Sequence, residues 1–267
     1  MKRLIILLSA ILAASAQAQF TPDEMLKPAV YTNADEMAFS YRLAAPQFPE
    51  EGKKYPLILF LHGSGECGTD NQRQIKVGVP ALISTLLKRE KPEPFILVVP
   101  QCQGGNWWVK KLAMQADYAA SQEPAPSMDV ALEIVRHLVE TRQADPDRLY
   151  ITGLSLGGFG TWDAIQREPD LFAAAVPICG GGDIRRVRDI KKLPVWVFHG
   201  DADKNVNVDC SRRMANALKL IGNRKARYTE YPGVEHNSWD RAYGEKEMIE
   251  WLFKQTRAEK PWWKFWE

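Results

Sequence analysis

Cysteine is scarce in this chain, with four in 267 residues, none of them in a C-x-x-C pair and none grouped with histidine at zinc-binding spacing. A metal site is therefore not expected. Histidine is equally scarce, at four. Neither sign of charge dominates, since 35 Lys and Arg stand against 33 Asp and Glu. Nucleic acid is excluded as a partner on that balance, because phosphate binding needs a basic excess or patch. The apolar run Leu4 to Ala14 is too short to span a bilayer as a helix. No internal repeat and no low-complexity linker divides the chain, and its length suits one domain with a full-sized core.

What is present begins with an export signal over residues 1–18. Lys2 and Arg3 supply the positive start, Leu4 to Ala14 the apolar stretch, and Ala16-Gln17-Ala18 an A-x-A cleavage site. No cysteine follows that site, so the usual lipoprotein anchor is not expected. The expected mature protein starts near Gln19, is periplasmic or secreted, has no stable membrane anchor, and carries 33 basic and 33 acidic residues. In an oxidising compartment Cys67, Cys102, Cys179 and Cys210 allow three disulfide pairings. Cys67 and Cys102, each following an apolar strand, are the preferred pair, against four free thiols. The aromatic end, Pro261 to Trp266, has three readings: docking on the body, touching a membrane interface, or binding a surface.

Between these ends, strand patterns alternate with helical ones. Met37 to Ala45 alternates as a half-buried strand does, and Leu57 to Leu61 is a continuous apolar run, the mark of a central strand. Further strands are expected at Phe95–Val99, Leu149–Leu154, Ala173–Ile178, Val195–Phe198 and Ala226–Tyr231. Helices are expected at Val79–Arg89, from a Ser127 cap to Thr141, from the turn after Leu154 to Glu168, at Ser211–Ile221, and as one closing helix over Trp239–Thr256. This alternation implies an α/β fold with a mostly parallel sheet and helices on both faces. Ligands in such folds sit beyond the carboxyl ends of the strands.

At one such end lies Gly153-Leu154-Ser155-Leu156-Gly157, a G-x-S-x-G between a strand and a helix. A serine hydroxyl becomes a nucleophile only when a base takes its proton and the backbone holds it clear of the fold; a strand-to-helix elbow meets the second need. The base follows by elimination. His137 falls mid-helix, whereas His62 and His199 end buried strands and precede glycine, as backbone-shaping residues do. His236 lies in a loop between the last strand and the last helix, free to reach back over Ser155. The loop after Phe198 offers Asp203, with Asp201 as the alternative, to orient that imidazole. Backbone amides of Leu156 and of Ser64, in the turn His62-Gly63-Ser64-Gly65, are the expected oxyanion donors. That turn also contains G-x-G-x-x-G, but no helix follows at once and no acidic strand end comes about twenty residues later, so a dinucleotide cofactor is not expected.

Taken together, the segments LFLHGSGECGTDN, VVPQCQGGNWW, DPDRLYITGLSLGGFGTW, ICGGGD, VWVFHGDADKNV and YTEYPGVEHNSWD resemble the α/β-hydrolase superfamily across almost the whole mature chain. Within it the chain is similar to carboxylesterases and predicted peptidases related to dienelactone hydrolases, polyhydroxybutyrate depolymerases and feruloyl esterases. The resemblance implies a Ser155–His236–Asp203 triad, no cofactor, and an ester substrate, with a peptidase or a non-catalytic binding protein as alternatives. It also implies Arg at position 67 and a charged residue at 210; cysteine at both leaves a Cys67–Cys210 bridge open. Only Cys179 to Leu193 separate two strands where related enzymes insert a lid, so an open site is expected, suited to a bulky or carbohydrate-linked ester. Trp107 and Trp108 are candidate aromatic walls for its ring.

Overall fold

The computed structural model describes residues 22–257 except 35, 104, 106, 111–116 and 142–143. The expected signal segment and the aromatic tail lie outside the described residues. In chain order the strands are β1 (Lys27–Thr32), β2 (Ala38–Ala44), β3 (Tyr55–Leu61), β4 (Ile96–Pro100), β5 (Ala144–Leu154), β6 (Ala174–Ile178), β7 (Trp196–Gly200) and β8 (Arg227–Tyr231). The helices are α1 (Pro22–Met25), α2 (Val79–Leu87), α3 (Pro126–Thr141), α4 (Leu156–Arg167), α5 (Asp209–Leu220), α6 (Ser238–Gly244) and α7 (Lys246–Phe253). The strands form one sheet in the order β1-β2-β4-β3-β5-β6-β7-β8. From β4 to β8 every neighbouring pair is parallel, while β2 runs antiparallel to both β1 and β4.

The continuous apolar runs follow from burial on both faces. Along β3, Leu57, Leu59 and Leu61 enter one core with α3, α4 and α5. Ile58 and Phe60 enter the opposite core with α2, α6 and α7. Successive side chains of a strand point to opposite faces, so a strand with helices on both sides needs an apolar residue at every position. β4 divides in the same way, with Ile96 and Val98 on one side and Leu97 and Val99 on the other.

Three expectations of local structure are corrected. The polar segment before Met37 contains β1, an edge strand whose half-exposed residues carry little apolar signal. The closing helix is two helices, because Glu245 between them is extended (φ −78°, ψ 111°) and its carboxylate accepts from Tyr231 at 2.7 Å. Ser127 lies inside the first turn of α3, which begins at Pro126, and so is not its cap. His137 lies within α3 as expected, exposed, with its ring 5.5 Å from that of Tyr31.

The connection from β6 to β7 holds a 3-10 segment, Ile184–Ile190, that packs on α4 and α5 beside the sheet. Among the described residues it builds no cap over the strand ends.

Candidate active site

Ser155 joins β5 to α4 with φ 52° and ψ −116°, a conformation that costs an L-residue on the order of 1–3 kcal/mol. Its own amide donates to Ile178 O at 3.0 Å and contacts Cys179 Sγ at 3.3 Å, and its carbonyl accepts from Phe159 N at 3.1 Å. These bonds clamp the elbow from both sides. The sharp turn also requires missing side chains. A Cβ on Gly157 would lie 1.9 Å from Leu61 O, and one on Gly158 would lie 2.3 Å from Ile178 O. With glycine at both positions, the first turn of α4 sits directly against the ends of β3 and β6.

Over this elbow the loop after β8 brings His236. Its Nε2 is 3.0 Å from Ser155 Oγ, and its Nδ1 is 2.7 Å from Asp203 Oδ2. The ring stands edge-on to Trp239, with centroids 5.1 Å apart, which limits its tilt. Asp203 comes from the loop after β7, and its side chain is wholly buried. Its Oδ1 accepts from the amides of Asn205 and Val206 at 2.8 and 3.0 Å. Burial pushes this carboxyl up, but the bonds from His199, His236 and the two amides outweigh it and hold Asp203 well below the usual carboxylate range. It is an anion at neutral pH. An anionic acceptor fixes the proton of His236 on Nδ1 and leaves Nε2 to receive the proton of Ser155. Asp201, the alternative, instead accepts from Gly233 N at 2.7 Å and holds the base of the histidine loop.

Two contributors escape a reading of the sequence. His199, expected only to shape backbone, is fully buried, with Nε2 at 3.2 Å from both Asp203 Oδ2 and Val206 O. Its Nδ1 meets Ser211 Oγ at 2.7 Å, and Ser211 donates to Gly180 O at 3.0 Å. Asp203 thus sits between two imidazoles. Cys179, with φ 40°, lies beneath the elbow, and burial pushes its thiol up, so it stays protonated. The only hint in the sequence was the H-G-D-x-D order, in which His199 precedes Asp203 by four residues.

Ser64 opens a 3-10 turn, Ser64–Glu66, directly after β3. Within that turn the Glu66 and Cys67 amides donate to Gly63 O and Ser64 O. Burial raises the Glu66 carboxyl, which also accepts from the Gly63 amide. Leu156 is the first residue of α4, so its amide has no acceptor inside the helix. The close fit of Gly157 sets the first turn of α4 against the backbone of Leu61 and His62, which lead into the Ser64 turn.

The two tryptophans part company. Trp108 is 1% exposed, donates from Nε1 to His62 O at 3.0 Å, and packs edge-on against the His62 ring. It offers no face to a ligand, which corrects its assignment as an aromatic wall. Trp107 is 40% exposed. All four cysteines are free.

Among the described residues, two trios each bring one thiol, ring nitrogen or carboxylate oxygen per residue within 4.8 Å of one another: His62, Cys67 and Cys102, and Cys179, Asp203 and His236. Neither donor set suits an ion. His236 has both nitrogens engaged by Ser155 and Asp203, and His62 uses Nδ1 on Gly63 O at 2.6 Å and Nε2 on the Cys102 amide at 3.0 Å.

Comparison with known proteins agrees with this architecture. The model of the prolyl oligopeptidase family matches residues 93–194. Poly(3-hydroxyalkanoate) depolymerase C of Paucimonas lemoignei is 32% identical over 133 residues, 47% of this chain and 28% of its own. A thermostable esterase of known structure superposes with a TM-score of 0.79 at 38% identity, over 87% of this chain and 64% of that one. A ferulic acid esterase from Anaeromyces mucronatus shares the fold, with a TM-score of 0.61 at 17% identity over 84% of this chain and 89% of its own. The chain spans about a quarter of the depolymerase and less than two thirds of the thermostable esterase.

Proposed function

We propose that this chain, which has the α/β-hydrolase fold, is a serine carboxylesterase working through an acyl-enzyme. The observation that carries the proposal is the continuous relay from Ser155 Oγ to His236 Nε2 at 3.0 Å and from His236 Nδ1 to Asp203 Oδ2 at 2.7 Å.

In the proposed reaction His236 takes the Ser155 proton as Oγ attacks the ester carbonyl. Asp203 stabilises the imidazolium that forms, and the developing oxyanion falls between the amides of Leu156 and Ser64. Each such donor is worth roughly 3–4 kcal/mol in the transition state. His236 then returns its proton to the leaving alkoxide, which departs as the alcohol. Water, deprotonated by the same imidazole, releases the acid and restores Ser155.

Strand ends that carry no cap among the described residues favour an ester that is bulky or borne on a polymer, and the exposed ring of Trp107 suits an aromatic acyl group such as a feruloyl ester on a polysaccharide. No nucleic acid, metal or cofactor enters this scheme. A second reading, a serine peptidase, is favoured by the match to the prolyl oligopeptidase model; the same relay serves it, but amides are the less reactive substrates. The N-terminal segment is read as a signal for export, and sequencing of the mature protein should then find an N-terminus near Gln19.

The test is hydrolysis of 4-nitrophenyl acetate, 4-nitrophenyl butyrate, methyl ferulate and a peptide anilide by wild type, Ser155→Ala and His236→Ala. Ester turnover lost in both variants, with folding intact by circular dichroism, is the expected result. Turnover surviving in Ser155→Ala would remove the assigned nucleophile, and preference for the anilide would favour the peptidase.

A further inference from the structure

Behind the Ser64 turn lies a pair of thiols that the proposed reaction does not use. Cys67 ends the turn after β3, and Cys102 follows β4, its parallel neighbour in the sheet. Their sulfurs lie within 4.8 Å of each other. The backbone around them is already tied, with Gly68 N donating to Cys102 O at 2.8 Å and Gln101 Nε2 to Glu66 O at 3.0 Å. The Cys102 amide is fixed on His62 Nε2 at 3.0 Å. Two sulfurs this close, on backbone held together by those bonds, stand within reach of a disulfide. His62, the third member of the cluster, has no nitrogen free for a metal, so the pair is left to thiol chemistry.

We propose that Cys67 and Cys102 form a dithiol–disulfide site, closed by exchange with a small-molecule or protein disulfide, whose oxidised form locks the Ser64 turn to the end of β4. The two sulfurs differ in access as such an exchange requires: Cys67 is half-buried and Cys102 is buried. A hydrogen bond from the Cys102 thiol also lowers the Cys67 thiol below its ordinary range, which favours Cys67 as the attacking group.

The Cys67 thiolate attacks one sulfur of the oxidant, and the other leaves as a thiolate. Cys102 gives its proton to that leaving thiolate and attacks Cys67 Sγ, expelling the second oxidant thiolate, which takes its proton from water. Two protein thiols are oxidised, one external disulfide is reduced to two thiols, and the electrons balance.

The test equilibrates the native, full-length protein with oxidised or reduced glutathione, alkylates free thiols, and maps the cysteines by mass spectrometry. The expected result is a Cys67–Cys102 linked peptide under oxidised glutathione only, with Cys179 and Cys210 alkylated after denaturation. Closing the 67-to-102 loop should raise Tm by roughly 10 °C, reversed by dithiothreitol. Cys67→Ser should abolish the shift while retaining ester turnover within about twofold. The proposal is overturned if Cys67 stays alkylatable or stops at a glutathione adduct, if it pairs with Cys179 or Cys210, or if Cys67→Ser shows the same shift.

Discussion

Replacing Asp203 with asparagine removes a charge while almost preserving shape, and the surroundings of that side chain dictate which way the amide must face. Oδ1 of Asp203 accepts from the amides of Asn205 and Val206 at 2.8 and 3.0 Å. An asparagine NH2 in that place would confront two N–H donors, and leaving the part-buried Val206 donor unpaired alone costs about 1–3 kcal/mol. The amide oxygen therefore stays there, and the NH2 takes the Oδ2 position, 2.7 Å from His236 Nδ1 and 3.2 Å from His199 Nε2. Facing a donor, His236 must carry its proton on Nε2, where it can no longer accept from Ser155. A triad held in the wrong tautomer loses on the order of 10⁴ in kcat, about 5.5 kcal/mol. The assay is kcat on 4-nitrophenyl butyrate for Asp203→Asn beside wild type, with thermal unfolding as a control, since the retained bonds to Asn205 and Val206 should keep Tm within a few degrees. Nitrogen NMR of His236 should find the proton moved from Nδ1 to Nε2. A kcat within about tenfold of wild type in a folded variant would refute this account of Asp203.

Other consequences are open to measurement. Gly200→Ala puts a Cβ 2.1 Å from Val234 O and 2.7 Å from Glu235 O, so the loop bearing His236 must retreat by about 1 Å; kcat should fall on the order of 10²-fold with a lower Tm. Asp203, Glu93 (half-buried, which raises it, but paired with Arg148 and Arg89) and Asp183 (beside Arg185) are all held below their ordinary range. Groups depressed on folding stabilise fully above their unfolded values of about 4 and lose that contribution as pH falls through the folded ones. Urea midpoints should therefore decline between about pH 5 and pH 2.5, and less steeply in Asp203→Asn. Trp107→Ala should raise KM for methyl ferulate several-fold and leave 4-nitrophenyl acetate nearly unchanged; equal effects on both esters would remove Trp107 from acyl recognition.

What could be read from the chain, and what could not, divides along the range of the forces involved. The β3 and β4 runs were legible because burial on both faces demands an apolar residue at each step, a condition local sequence records directly. The Ser155 elbow was legible because Gly157 and Gly158 meet neighbouring backbone at distances no side chain survives. β1 left no such mark, since an edge strand with mostly exposed residues is held by ladder bonds to β2 that any residues can make. The split of the closing helix was hidden for a related reason: a single extended residue, Glu245, is stabilised by a tertiary partner, Tyr231, fourteen positions earlier.

His199 shows most sharply how identity and role separate. Its position at the end of β7, before Gly200, looks like backbone punctuation, and in part it is, because Gly200 admits the Val234 carbonyl. Yet the same strand end turns the His199 ring toward Asp203, where it supplies a second imidazole donor to an oxygen already serving His236. A wholly buried carboxylate needs such partners to remain ionised, and a loop rich in turn-forming residues gives no sign that burial will be so complete. Proximity to Ser155 in space identifies His236, whereas the electrostatic demand of Asp203 identifies His199. That demand exists only once β7, β8 and α5 have closed around the carboxylate.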